Sequence, residues 1–183
     1  MQFIIWVFCI FTNPLQKHII MKKDGGSMFR KMRRFKQQLT DDACAEVLKN
    51  GQRGILAVLG DEGYPYTVPL DYVYTDGKLY FHSAAEGHKV DAVRAEPKAS
   101  FCVLAQREQD ADGWSYYFDS VVVFGKVQII EDEEERLHAL RLLGLKYFPD
   151  AQMVEDDLRK NAARALVLCL HAAHISGKHV HER

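Results

Sequence analysis

Short apolar stretches separated by turn-forming residues fill the middle of the chain, a pattern that is typical of antiparallel strands. Residues 55–59 form the first apolar stretch, and a Gly-Asp-Glu-Gly turn separates it from a long extended stretch at residues 64–74. An Asp-Gly pair, which favours a two-residue hairpin turn, then precedes the apolar residues 79–81. We therefore predict three antiparallel strands in this part of the chain.

The second of these predicted strands contains two prolines, Pro65 and Pro69. Because proline has no backbone N–H to donate to a ladder, this strand is expected at an edge of the sheet or bent around another group. It is therefore a candidate wall for a ligand site.

The second half of the chain adds three strands and two helices to the prediction. Residues 99–105 and 116–130 are rich in β-branched and aromatic residues, and residues 166–175 form the last apolar stretch. Residues 132–148 begin with acidic residues and carry apolar residues at helical spacing, and a second helical segment follows near residues 153–163.

Two shorter helices complete the predicted elements. Thr40 is placed as the N-cap of the first, which carries two aspartates in its first turn and ends at an Asn-Gly pair. The second covers residues 89–95 and ends before Pro97. Short strands joined by hairpins, with helices beside them, indicate a mainly β, α+β fold. We expect a six-stranded antiparallel sheet that closes into a small barrel, because closure hides the sheet edges.

The charge of the chain is unevenly distributed. The formal net charge is −1, but residues 1–38 carry +7 and the remainder −8. We interpret residues 1–31 as an N-terminal extension, either a tail or a mis-extended start, and residues 32–183 as the folded domain. With an acidic main body, nucleic acid is not expected as a partner.

The apolar run at residues 3–11 does not change this interpretation. It is shorter than the roughly 20 residues that a membrane helix needs, and positive charge follows it rather than preceding it as in a signal peptide. The four cysteines have no C-x-x-C spacing, which argues against a zinc site or a disulfide framework. We therefore expect a reduced cytoplasmic protein with no membrane partner.

The densest polar cluster lies between the third predicted strand and the helix that follows it. His82 and Ser83 end the strand, Gly87 allows a close turn, and His88 and Lys89 open the helix. Hydroxyl and backbone donors, a helix N-terminus and a cation together suit a phosphate, although a solvated loop has the same composition. The glycine patterns of dinucleotide and triphosphate sites do not occur in the sequence.

Four short motifs, taken together, resemble the nitroimidazole-resistance (Nim) branch of the pyridoxamine-phosphate-oxidase-like flavoproteins. They lie at residues 63–70, 80–89, 120–125 and 175–178. The resemblance implies a split β-barrel with Greek-key connections and a homodimer that binds FMN at the subunit interface. It also implies an FMN-dependent reductase of small oxidised aromatic substrates, with 5-nitroimidazoles as the named candidates.

The resemblance assigns three residues to the FMN phosphate, namely Ser83, His88 and Lys89. His88 stands where the oxidases carry an arginine. Because the ordinary pKa of histidine is about 6.5, its charge is conditional, and Lys89 is expected to supply most of the attraction at neutral pH.

The remaining implied site residues surround the flavin ring. Val68, Pro69 and Leu70 would line the isoalloxazine, and Ser120 would reach the cofactor of the other chain. His82 would lie near the flavin, where imidazole can relay protons to a substrate or contact it, or would only hydrogen-bond the phosphate or the chain.

Other functions stay open at this point. An oxidase of a pyridoxamine-like amine is disfavoured, since the ending at residues 179–183 is similar to the substrate-binding ending of true oxidases but lacks its first arginine. A non-catalytic flavin- or haem-binding module would use the same residues as the reductase. The aromatic residues of the 114–118 segment are expected to pack in a dimer or to form a lid.

The histidines near the C-terminus are expected to lie across a strand and a free tail without an acidic partner, so no metal site is predicted there. They are His171, His174, His179 and His181.

Overall fold

The structure is a computed structural model that describes residues 29–109 and 116–182. The interpretation of residues 1–28 and the role predicted for Trp114 lie outside the described residues.

Seven strands of the described chain form one antiparallel sheet. They are β1 (Arg53–Leu59), β2 (Pro65–Asp71), β3 (Val73–Thr75), β4 (Lys78–Ser83), β5 (Lys98–Gln109), β6 (Tyr116–Ile129) and β7 (Leu166–Glu182). Their order across the sheet is β2-β1-β5-β6-β7-β4-β3. Because β4 returns beside β7 of the β5-β6-β7 meander, the connection is a Greek key. The predicted mainly β, α+β fold is confirmed.

The strand count differs by one from the prediction because the extended stretch at residues 64–74 is interrupted at Tyr72. Its backbone N–H donates to Tyr147 Oη at 2.9 Å, and its carbonyl accepts from Lys146 Nζ at 3.0 Å. These side chains take the backbone groups that a continuous strand would offer to a neighbour. The stretch therefore divides into β2 and β3.

Four helices flank the sheet: α1 (Asp41–Asn50), α2 (His88–Ala95), α3 (Glu133–Tyr147) and α4 (Ala151–Asn161). The side chain of Thr40 accepts the N–H of Ala43 at 3.2 Å, so the predicted N-cap of α1 is confirmed. Asp132 caps α3 in the same way, by accepting the N–H of Glu135 at 2.8 Å. Each cap satisfies a donor that the helix itself leaves without a partner.

The main core lies on the concave side of the sheet. Its largest fully buried side chains include Phe81 and Phe101, whose ring centroids are 5.0 Å apart, and Tyr72, whose hydroxyl donates to the Leu48 carbonyl at 2.7 Å. Burial of one such large apolar side chain contributes roughly 1.5–3 kcal/mol. A smaller cluster on the other side of the sheet packs α3 against β4 and β7.

The sheet forms a half-barrel that stays open along one side. β2 and β3 are its two edges, and they are consecutive in the chain. β2 approaches β4 without pairing with it, so a gap remains between these two strands. The predicted edge position of the proline-containing strand is confirmed.

The last strand is longer than the sequence indicated. β7 pairs with β6 as far as Glu182, beyond the predicted end at residue 175. Gly177 makes this possible because a Cβ there would lie 2.5 Å from Cys44 Sγ of α1. The expectation of a free tail was wrong, and so was the expectation that its histidines lack an acidic partner, since His179 Nδ1 lies 2.7 Å from Asp119 Oδ1.

Candidate functional site

A groove of about 430 Å³ opens between the β1–β2 hairpin and the end of β4. This volume is in the range of small-molecule sites. One wall comes from the hairpin and the other from β4 and the start of α2. The lining residues are Arg53, Pro69, Leu70, Asp71, His82, Ser83, Ala84 and Lys89. The groove therefore gathers five residues of the predicted site: Pro69, Leu70, His82, Ser83 and Lys89.

Lys89 is the cation of the β4–α2 wall. It lies in the first turn of α2, and its burial lowers the pKa of its ammonium group below the usual value for lysine. No carboxylate of the described residues lies within ion-pair distance of it. A partly desolvated ammonium group without a counter-ion favours an anionic ligand, because the ligand supplies the missing charge.

Ser83 and Gly87 shape the same wall. Ser83 is buried at the end of β4, and its hydroxyl has no hydrogen-bond partner among the residues that the structure describes. Gly87, the N-cap of α2, has φ of 124°, a conformation that strongly favours glycine. The resulting turn places the first residues of α2 next to the end of β4.

His82 precedes Ser83 and is exposed along the groove. It pairs with Val167 of β7 through the backbone, and its ring has no hydrogen-bond partner in the described part of the chain. The ring nitrogens are therefore available to a ligand. A neutral imidazole can donate a hydrogen bond through one ring nitrogen and accept one through the other.

His88 does not line the groove. Its ring stacks on Tyr66 with centroids 4.2 Å apart, and its Nε2 accepts the backbone N–H of Asp61 at 3.4 Å. The same nitrogen lies 3.6 Å from the Asp61 carboxylate. The ring is thus held against the β1–β2 turn, and its binding of a phosphate stays a prediction.

Val68 and Ser120 also lie outside the groove lining. Val68 is partly buried and packs on the main core behind β2. Ser120 lies on β6, between Leu104 of β5 and Lys178 of β7. Its neighbours Asp119 and Val121 are buried on the concave side, so Ser120 lies on the convex side of the sheet.

Arg53 and Asp71 belong to the site but were missed by the sequence analysis. They are directly opposite each other in the β1–β2 hairpin, and Arg53 Nε donates to Asp71 Oδ1 at 2.7 Å. The sequence contains a signal for this pair. Arg53 and Asp71 have opposite charges and lie at equal distances from the predicted turn, and residues so placed become cross-strand neighbours in a hairpin.

The convex side of β1, β5 and β6 carries several exposed apolar side chains, and we call it the convex face. Its exposed large apolar side chains are Ile55, Leu59, Leu104 and Phe124. Ile55 is directly opposite Pro69, which also lines the groove, so the convex face borders the groove. Contiguous exposed apolar patches are uncommon on monomeric soluble proteins.

Within the described residues, no helix has both the length and the apolar content that are needed to cross a bilayer.

A model of the family described as pyridoxamine 5'-phosphate oxidase matches residues 40–179 of the chain. This match covers all four helices and the half-barrel except for the last three residues of β7. No curated protein sequence matches.

Several solved structures have a similar fold. A FAD-binding protein from Mesorhizobium loti is 28% identical, with a TM-score of 0.61 over 79% of this chain and 97% of that one. A candidate 5-nitroimidazole antibiotic resistance protein from Bacteroides thetaiotaomicron is 24% identical, with a TM-score of 0.65 over 79% of this chain and 87% of that one. A FAD and haem binding protein from Mycobacterium smegmatis is 19% identical, with a TM-score of 0.58 over 78% and 72%.

Proposed function

The chain belongs to the pyridoxamine 5'-phosphate oxidase family, and from that premise we propose that its groove binds FMN and that the protein is an FMN-dependent reductase of small oxidised aromatics such as 5-nitroimidazoles. One observation carries the proposal. The Lys89 ammonium, the Ser83 hydroxyl and the His82 ring line the same groove, and none has a polar partner in the described part of the chain.

The residues present fit a flavin mononucleotide. Lys89 and Ser83 would hold its phosphate, together with the backbone N–H groups at the start of α2, because an ammonium, a hydroxyl and a helix N-terminus all favour a dianion. Pro69 and Leu70 offer the apolar wall that a planar ring needs. When bound, FMN supplies a carrier of hydride or single electrons.

His82 is the proposed catalytic residue. Reduction of a nitro group consumes protons as well as electrons, and an exposed imidazole on the groove wall can deliver them. His82 and Ser83 are adjacent at the end of β4. In this proposal Ser83 would hold the FMN phosphate and His82 would supply the proton.

We further propose that the protein is a homodimer whose partner covers the convex face. An isologous contact suits this surface, since the same apolar strands would meet in both copies. Because the convex face borders the groove through Ile55 and Pro69, a second copy would also cover the mouth of the groove. The position of Ser120 on the convex side supports its predicted contact with the other chain's cofactor.

Two measurements test the function. We expect the purified protein to bind FMN with a shifted flavin absorption spectrum, and we expect anaerobic mixing of the reduced, FMN-loaded protein with a 5-nitroimidazole to reoxidise the flavin. A protein that ignores added FMN would refute the cofactor assignment. A flavin that binds but is not reoxidised by any nitroaromatic compound would favour a non-catalytic flavin carrier instead.

A further inference from the structure

The groove contains a second cationic group, the Arg53 guanidinium, on the wall opposite the β4–α2 wall that carries Lys89. The two cations differ in kind. Lys89 is a partly buried point charge, whereas Arg53 is exposed and ends in a planar guanidinium with several N–H donors in fixed directions. A phosphate that binds at Lys89 and Ser83 leaves the Arg53 end of the groove for another part of the ligand, or for a second ligand.

Asp71 fixes the orientation of this guanidinium. The contact of 2.7 Å uses Nε, and the two terminal nitrogens Nη1 and Nη2 have no acceptor among the residues that the structure describes. Two parallel N–H groups of this kind match a planar group with two oxygen atoms, such as a carboxylate or a nitro group.

The residue after Asp71, Tyr72, is held by two side chains of α3. Tyr147 Oη accepts the N–H of Tyr72, and Lys146 Nζ donates to the carbonyl of Tyr72. Tyr147 Oη also donates to the Gln52 carbonyl, beside Arg53. The backbone next to each member of the Arg53–Asp71 pair is therefore tied to the C-terminal turn of α3.

We propose that Arg53, oriented by Asp71, is a specificity-determining residue that selects aromatic ligands carrying a planar two-oxygen group. Asp71 is a positioning residue, since it acts through Arg53. The inference deepens the proposed function, on which it rests for the assumption that the groove takes a small aromatic substrate.

The test compares ligands that differ only in the planar group. Benzoate, nitrobenzene and benzamide are titrated into the protein by calorimetry, both ligand-free and saturated with FMN. Because a charge-assisted bidentate contact is lost with the amide, we expect benzoate to bind about tenfold more tightly than benzamide. Nitrobenzene, which has two oxygens but no net charge, is expected between them.

Three variants test which residues cause the preference for benzoate over benzamide. Arg53→Gln should remove the preference for benzoate, so that benzoate and benzamide bind with equal affinity. Arg53→Lys should reduce the preference, because lysine keeps the charge but loses the planar pair of donors. Asp71→Asn should reduce it in part. Thermal unfolding of each variant shows whether the fold is retained, and the ratio of benzoate to benzamide affinity, unlike a single affinity, is insensitive to general damage of the groove.

Each result decides the inference. With FMN bound, so that its phosphate occupies Lys89, equal affinities for benzoate and benzamide in the unaltered protein, or a ratio that survives Arg53→Gln, would overturn it. A ratio that survives Asp71→Asn would overturn the positioning role. Failure of FMN to bind refutes the proposed function instead, and the ratio measured on ligand-free Lys89→Ala protein, which lacks the other cation of the groove, then tests Arg53 by itself.

Discussion

His179 Nδ1 lies 2.7 Å from Oδ1 of Asp119, and the two residues are direct cross-strand partners on β7 and β6. The carboxylate is almost fully buried, whereas the imidazole is partly exposed. Since a buried carboxylate needs hydrogen bonds from its surroundings, this contact stabilises the far end of the longest strand pair.

We therefore expect His179→Ala to lower the free energy of unfolding by about 1–3 kcal/mol, the cost of removing a hydrogen bond to a buried charged group. Urea unfolding at neutral pH measures it. His138→Ala, at an exposed position on α3, is the matched control and should change stability little. Equal effects of the two substitutions would show that the Asp119 contact contributes nothing particular.

Lys89→Ala should weaken FMN binding at least fivefold, or about 1 kcal/mol, because a charge-assisted contact to the phosphate is lost. The dissociation constant is measured by quenching of flavin fluorescence. Lys160→Ala, at an exposed position near the end of α4, is the control and should bind FMN normally. An unchanged constant for Lys89→Ala would place the phosphate elsewhere.

The affinity for FMN should also depend on pH. Burial lowers the pKa of Lys89 in the ligand-free protein, and a bound phosphate favours its charged form. The affinity for FMN is therefore greatest below the pKa that Lys89 has in the ligand-free protein. It falls as the pH rises through that pKa. A titration from neutral pH to about pH 10 keeps the phosphate dianionic, since its second pKa is about 6.

Lys89→Arg provides the control for this titration, because arginine stays charged over the whole range. Its FMN affinity should show a smaller decrease with pH than that of the unaltered protein. Identical pH profiles for the two proteins would exclude Lys89 as the titrating group.

The proposed dimer makes a further prediction. Leu104 on the convex face is 65% exposed, and Leu145 on α3 is 52% exposed. Leu104→Glu should convert the dimer to a monomer, since a charge would be buried in an apolar contact, whereas Leu145→Glu should leave the dimer intact. Light scattering after size-exclusion chromatography distinguishes them. A monomeric unaltered protein, or a dimer that tolerates Leu104→Glu, would contradict the proposed interface.

Local signals predicted much of the fold. The Thr40 cap, the acidic start of α3 and the Asp-Gly turn depend on a few neighbouring residues, so they could be found without knowledge of the tertiary structure. The strand and helix types therefore agree with the sequence patterns, and the prolines of β2 correctly indicated an edge strand.

The features of the fold that the sequence did not predict depend on contacts between residues that are distant in sequence. The break at Tyr72 depends on Lys146 and Tyr147, which lie about 75 positions later. The extension of β7 depends on pairing with β6 and on the close approach of Gly177 to α1. Neither contact leaves a local pattern, because the residues concerned look like loop or helix residues in their own neighbourhoods.

The residues of the candidate site also fall into those that a local sequence pattern reveals and those that only the tertiary structure brings to the groove. His82, Ser83 and Lys89 are close in sequence and were found as one cluster. Arg53 reaches the groove only through the register of the β1–β2 hairpin. His88 is adjacent to Lys89, yet it lies on a different side of the helix start, where it stacks on Tyr66.

The prolines of β2 have one more consequence, for self-association. An edge strand with free N–H groups can recruit an extended segment from another molecule, which leads to aggregation. With residues 65 and 69 unable to donate, the rim of the half-barrel offers an incomplete template for such addition. Pro65 and Pro69 therefore disfavour the addition of a foreign strand at the edge of the sheet that borders the groove.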